Sequence, residues 1–227
     1  NAARYAVGVQ GVAIAERAYQ KAVAYARDRV QSRPVDGSMN KSAPIIHHPD
    51  IKRMLMTMRA YTEGCRAMAL VAASAYDAAH HHPDAQARQQ NAAFYEFLVP
   101  LIKGYSTEMS LDVASLGVQV HGGMGFIEET GAAQYLRDAK ILTIYEGTTA
   151  IQANDLVGRK LAREKVPGAG MKALLAEMSA TAAEIAGDAQ LAGIGHEQSS
   201  QHAQRGGLAG AVGAEQARDA PIGCPEA

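Results

Sequence analysis

An all-α fold is predicted for this 227-residue chain by three observations: its residue usage, its scarcity of β-branched runs, and the intervals at which its apolar residues recur. Ala, Leu, Met, Glu, Gln, Lys and Arg dominate and aromatic residues reach only 5%, so local propensity favours helix almost throughout. Apolar and small residues repeat at three and four positions, the helical period, and not at two. The expected architecture is an antiparallel four-helix bundle with an extra C-terminal helix and a disordered tail. Along the chain this gives a bundle over residues 1–165, an added helix over 166–186 and a low-complexity tail over 187–227.

The first helix is expected from about Ala3 to Val30. Gly8, Gly11, Ala15, Ala18, Ala22 and Ala26 lie three or four apart, a seam of small residues along which a second backbone can come close. Turn chemistry in Arg33-Pro34-Val35-Asp36-Gly37-Ser38 ends it, and a loop runs to about His48. His48-Pro49-Asp50 opens the second helix, with Pro tolerated in the first turn and Asp complementing the dipole. Its stripe is a near heptad in which Ile51, Met58, Cys65 and Ala72 alternate with Leu55, Thr62, Ala69 and Tyr76, the pattern of antiparallel packing at shallow angles. Met54, Met56 and Met58 read as adaptable core filling. His80-His81-His82-Pro83 ends this helix. With His47-His48 these imidazoles lack the ligand spacing and the carboxylate or thiolate partners of a zinc site, so no metal is expected.

A third helical region spans about Ala85 to Val120, with Phe94, Leu98, Leu101 or Ile102, Tyr105, Met109, Val113 and Leu116 on one side. Pro100 should kink or restart it, having no N–H for the ladder. It ends at His121-Gly122-Gly123-Met124-Gly125, which reads either as a tight interhelical turn or as a place where backbone approaches a ligand. A short helix from Thr130 to Ala139 follows. Thr149-Ala150-Ile151-Gln152 has capping-box spacing, so another helix should run from Thr149 to about Ala162. Beyond Pro167-Gly168, an amphipathic helix from Met171 to Ala186 is marked by Met171, Leu174, Leu175, Met178, Ala182 and Ile185. Residues 187–227 are rich in glycine and poor in Leu, Ile and Val, which predicts disorder.

The net charge of -1 and a pI near 6.8 provide no basic field for nucleic acid and no polybasic stretch for anionic lipid. No apolar run approaches the roughly 18 residues of a membrane span. Cys65 and Cys224 are too few for a disulfide framework and suit a reducing compartment, so a cytoplasmic location is expected. The chain enters a helix almost at once from Asn1-Ala2-Ala3-Arg4, with no initiator Met, which suggests that the protein starts upstream.

The richest chemistry lies in Arg137-Asp138-Ala139-Lys140-Ile141-Leu142-Thr143-Ile144-Tyr145-Glu146-Gly147-Thr148. Glu146 stands among apolar residues on a turn just before a helix. Two readings are open: a carboxylate satisfied by the helix dipole, or a base whose affinity for protons is raised by desolvation if the segment packs inward.

Three landmarks, in this order and at these separations, resemble the C-terminal helical domain of the acyl-CoA dehydrogenase family. They are Arg4 to Gln31, with Ala15-Glu16-Arg17-Ala18-Tyr19 and Arg29-Val30-Gln31; Gln119-Val120-His121-Gly122-Gly123-Met124-Gly125-Phe126; and Arg137-Asp138-Ala139-Lys140-Ile141 through Ile144-Tyr145-Glu146-Gly147-Thr148. The resemblance covers about residues 1–165. It implies a parent protein with an N-terminal helical domain and a central β domain, an FAD bound between domains and across a subunit interface, and a homodimer or homotetramer. The activity implied is α,β-dehydrogenation of an acyl-CoA substrate, with Glu146 as the base that removes the α proton and an electron-transfer flavoprotein as acceptor.

By the same resemblance Arg4 approaches the catalytic carboxylate, Arg29 reaches the FAD pyrophosphate of a neighbouring subunit with Gln31 as its polar companion, Gln119, Gly122 and Gly123 run along the adenosine part, and Thr148 is a hydroxyl donor beside the base. Two positions depart from the common pattern: Ser32-Arg33-Pro34 follows Gln31 where Phe-Gly is usual, and Ala150 stands where a Gln is frequent. The longer loop, His48-Pro49-Asp50-Ile51 and the added helix are similar to a larger bacterial branch with an extended C-terminus, some of which act on short or sulfur-bearing acyl-CoAs such as 3-methylmercaptopropionyl-CoA. An acyl-CoA oxidase would share this fold and base, and a non-catalytic oligomerisation bundle would share the fold alone. As a C-terminal fragment without the β domain, the chain by itself is expected to be inactive.

Overall fold

The computed structural model describes residues 1–162 and 169–191. Helix α1 spans Ala2–Asp28, α2 Pro49–His81 and α3 Ala85–His121. They are followed by the short α4 (Gly123–Phe126), α5 (Ala132–Leu142), α6 (Thr149–Asp155), a π-helical turn at Leu156–Leu161, and α7 (Ala169–Leu191). Among the described residues there is no strand; one isolated antiparallel bridge joins Val30 to Pro44 and ties down the loop after α1. No described helix is long and apolar enough to cross a membrane.

Residues Asn1–Leu174 form one compact unit organised around α3, which packs against α1, α2, α5 and α6. The small-residue seam explains the closest of these contacts. Gly8, Gly11, Ala15, Ala18, Ala22 and Ala26 are all buried, and a Cβ added at Gly11 would lie only 2.8 Å from the Ser106 carbonyl oxygen of α3. On α2 the stripe is interior at Leu55, Met58, Thr62, Cys65, Ala69 and Ala72. It departs from expectation at its end, where Ala75 is buried and Tyr76 is 44% exposed, its ring resting on Tyr95 at a centroid distance of 5.0 Å with one side in water. Met56 is also not core: it is 71% exposed, because two residues of helix rotate it away from the Met54 and Met58 face.

The interior is continued in two clusters. One joins Ala22, Met58 and Val113 to Ala139 of α5; the other joins Ala72, Phe97 and Ile102 to Leu156, Met171 and Leu174. His82-Pro83-Asp84 turns the chain between α2 and α3, and Asp84 caps α3 by accepting from the backbone of Gln86 and Ala87. Pro100 causes no restart: it lies buried inside α3, a single helix of 37 residues. Tyr105 faces outward where the apolar stripe placed it inside.

The start of α6 differs by one residue from the capping-box reading. Thr148, not Thr149, is the cap, its Oγ1 accepting from the Ile151 N–H at 3.4 Å, and the helix gives way to the π turn after Asp155, short of Ala162. α7 runs to Leu191, past the expected Ala186. A second unit starts at Leu175; its described part is the rest of α7, with Leu175, Met178 and Ile185 exposed. The remaining tail, 192–227, lies outside the described residues.

Candidate functional site

Two groups of polar residues stand at different heights along α1. The lower group surrounds the Glu146 turn. Glu146 and Gly147 both have left-handed backbone, with φ of 53° and 89°. A glutamate pays conformational energy there that a glycine would not, and such residues collect at functional sites. Its side chain is exposed, so the condition for a desolvated carboxylate, a segment packed inward, is not met within this chain. Ile144 and Tyr145 are exposed as well, with the Tyr145 hydroxyl donating to Gln10 of α1.

What holds this turn is a buried polar floor. Gln152 of α6 is 2% exposed and donates its Nε2 to the carbonyls of Glu146 at 3.3 Å and Gly147 at 3.1 Å. Arg4 donates to Gln152 Oε1 at 3.4 Å and pairs with Asp155 Oδ2 at 2.6 Å. Asp155 has a side chain only 1% exposed and also takes Arg159 Nε at 2.5 Å, so two guanidiniums compensate one buried carboxylate. Arg4 therefore does not approach the Glu146 carboxylate. Asp155 captures it, and it reaches the turn through Gln152. Thr148, read as a hydroxyl donor beside the base, is an exposed helix cap.

From α3 comes a residue that sequence reasoning missed. Lys103 is wholly buried, and its Nζ donates to the same Gly147 carbonyl at 2.5 Å. Burial pushes its ammonium below the ordinary lysine range, with the carboxylates of Glu108 and Glu146 pulling the other way. Glu108 is itself held by the Thr149 hydroxyl at 2.5 Å. The available signal was Lys103 as the one charge in the apolar run from Phe97 to Gly104.

The upper group forms a groove of about 340 Å³ at the C-terminal ends of α1 and α3. It is lined by Arg29, Gln31, Gln119 and Gly122 together with Tyr25, His48 and His121. Four of the six residues expected to meet a cofactor thus converge on one surface; Gly123 lies beside it and is exposed, and Thr148 stands apart at the Glu146 turn. The loop that brings Gln31 there is pinned by backbone bonds from Gln31 N–H to the Ala43 carbonyl at 3.1 Å and from Ile45 N–H to the Arg29 carbonyl at 2.8 Å. His48 Nε2 lies 2.9 Å from the Gln31 carbonyl. His121 stacks on Tyr25 at 4.3 Å and is bonded through Nδ1 to the Gly117 carbonyl at 2.7 Å. Its burial depresses the imidazole's proton affinity, against the pull of that carbonyl and with the help of Lys21. Gly122, at φ 60°, has open space where a side chain would stand.

At 1.5 Å per helical residue, Arg4 and Arg29 are roughly 37 Å apart along α1. The two groups on one chain are therefore distinct surfaces.

The family model for the acyl-CoA dehydrogenase C-terminal domain matches residues 1–161. A 3-methylmercaptopropionyl-CoA dehydrogenase from Ruegeria pomeroyi is 67% identical over 162 residues, covering 71% of this chain and 27% of that protein. A broad-specificity linear acyl-CoA dehydrogenase from Mycobacterium tuberculosis is 40% identical over 170 residues, covering 72% and 27%. The chain thus spans 27% of the length of each of these relatives. Among solved structures, butyryl-CoA dehydrogenase from Megasphaera elsdenii superposes with a TM-score of 0.53 at 28% identity, over 68% of this chain and 35% of that one. An acyl-CoA dehydrogenase complexed with FAD from Bacillus anthracis gives a TM-score of 0.59 at 27% identity, over 68% and 26%.

Proposed function

The chain belongs to the acyl-CoA dehydrogenase family through its C-terminal domain, and on that premise we propose that it supplies the base and part of the cofactor cradle of an FAD-dependent acyl-CoA dehydrogenase. The observation that carries this reading is Glu146: an exposed carboxylate held in left-handed backbone over a buried polar floor, in the family's Ile144-Tyr145-Glu146-Gly147-Thr148 turn. Exposure of the carboxylate in this chain fits a base whose cover comes from the acyl chain and the remaining domains. In such a dry site Glu146 takes the α proton of the thioester. FAD, when bound, accepts the β hydrogen as hydride.

The donor set of the upper groove suits the cofactor's phosphate and adenosine portion. Arg29 offers a charged, forked donor to a pyrophosphate, Gln31 and Gln119 offer amides, and Gly122 leaves room for close approach. The separation of roughly 37 Å along α1 supports a shared arrangement in which Arg29 and its neighbours serve the cofactor of a second subunit and Glu146 serves its own. The backbone bonds that pin the Gln31 loop hold its side of that groove in place. The 67% identity to the Ruegeria protein makes 3-methylmercaptopropionyl-CoA the first substrate to test.

The deciding experiment is Glu146→Gln in the full reading frame that contains this chain. The variant is expected to retain bound FAD and to lose substrate-dependent bleaching of the flavin absorption band. Normal bleaching would remove Glu146 from the role of base.

A further inference from the structure

We propose that Lys103 is the positioning residue of the Glu146 turn. Its buried ammonium, inserted from α3, fixes the Gly147 carbonyl and through it the two consecutive left-handed residues that aim the carboxylate. The inference rests on Glu146 being the base.

Three observations carry it. First, Lys103 has no accessible surface, yet no carboxylate lies within 4.0 Å of its Nζ among the described residues. Its one recorded acceptor is the Gly147 carbonyl at 2.5 Å. A desolvated cation without a direct counterion is costly to folding, so stability gives no reason for a lysine at a site that an apolar side chain would fill. Second, that carbonyl already accepts from Gln152 at 3.1 Å. Two donors from different helices meet one oxygen, which defines its position and hence the plane of the Gly147–Thr148 peptide, one residue beyond Glu146. Third, the Gly147 carbonyl belongs to the peptide that closes a pair of residues at φ 53° and φ 89°, and the peptide that joins the pair is held through the Glu146 carbonyl by the same Gln152 at 3.3 Å. A strained conformation persists only where the surroundings over-determine it, and Lys103 and Gln152 are the groups that do so.

The test uses K103M, which keeps the length and apolar body of the side chain and removes both donor and charge. In this chain, hydrogen exchange of a peptide covering 144–152 should accelerate by about 10-fold or more, while a peptide over 11–22 in the α1 seam exchanges as before; a charge-assisted bond is of that size. The melting temperature should stay level or rise, since a buried cation is removed. A residue with a purely structural role would instead lower it and loosen both peptides. In the full reading frame, kcat should fall about 10- to 100-fold with KM changed by no more than about 2-fold, because the lost interaction serves the proton-transfer step and not uniform substrate binding.

A second variant covers failure of K103M to fold. In K103A, added ethylammonium should restore turnover and protection at 144–152, and tetramethylammonium, which has no N–H, should not. Wild-type exchange at the turn together with wild-type kcat in K103M would overturn the proposal, as would equal rescue by the two cations in K103A. If E146Q loses bleaching while K103M keeps full turnover, only the role of Lys103 falls. If E146Q keeps bleaching, the base assignment falls, and the exchange data still report whether Lys103 holds the turn.

Discussion

Gly11 offers the sharpest test of how the bundle is assembled, because the obstacle to a side chain there is backbone. A Cβ built on Gly11 would lie 2.8 Å from the Ser106 carbonyl oxygen, 3.0 Å from its carbon and 3.2 Å from Thr107 Cα. None of these atoms can swing away. Restoring the carbon contact from 3.0 Å to the roughly 3.5 Å of an ordinary one requires α1 and α3 to separate by about 0.5 Å. Overpacking of this kind costs about 1–3 kcal/mol, against a gain of about 0.5–1 kcal/mol for replacing a helical glycine by alanine.

Gly64 is the matched control. It lies within α2 and is exposed, and nothing stands within 4 Å of its added Cβ. G64A therefore collects the helical gain alone. The difference between G11A and G64A isolates the clash at about 1–3 kcal/mol, which for a domain of this size is a gap of about 2–12 °C in melting temperature. Thermal melts followed by circular dichroism measure it directly. If G11A melts as high as G64A, α1 and α3 do not meet along this seam, and the close approach inferred from Gly8 to Ala26 is wrong.

Two further substitutions probe the groups described above. E146G should raise stability by about 0.5–1 kcal/mol, the left-handed cost of a non-glycine residue less the entropy that glycine loses on folding; a lower melting temperature in E146G would show that the turn stores no strain. For His121 the sign follows from burial: the unfolded chain takes up a proton near pH 6.5 while the folded imidazole, held below that value, does not. Stability is therefore lost as pH falls from about 6.5 toward the folded value. H121F keeps a ring against Tyr25 and removes the titration, so its melting temperature should fall less between pH 7.5 and 5.5; an unchanged drop would assign the acid sensitivity to other groups.

Periodic features were legible in the sequence because helical periodicity is the direct imprint of burial. The Gly8 to Ala26 seam and the interior positions of α2 from Leu55 to Ala72 follow from spacing alone, and the all-helical fold from spacing together with residue usage. Readings that rest on adjacency or resemblance, and not on period, fail at Met56 and Arg4. Met56 was grouped with Met54 and Met58 by adjacency, although two helical positions carry it to the opposite face. Arg4 was assigned to Glu146 by resemblance, but Asp155, 151 residues away, captures its guanidinium. Nothing local marks Asp155 as buried.

Lys103 shows why these failures concentrate at the site. Core positions are chosen for what they exclude, namely water, and any apolar residue of suitable volume leaves the same trace in a sequence. The floor beneath Glu146 is chosen for what it binds: Lys103 and Gln152 are spent on two backbone carbonyls that no side-chain pattern records. A buried lysine with a depressed proton affinity also works against folding over part of the pH scale. Between its lowered folded value and the ordinary lysine value the unfolded chain binds more protons, so stability rises with pH there and the ammonium is a net cost below it. A bundle selected for stability alone would have an apolar residue at position 103. That it holds a cation against the Gly147 carbonyl is the mark of a turn whose geometry matters more than the stability lost in setting it.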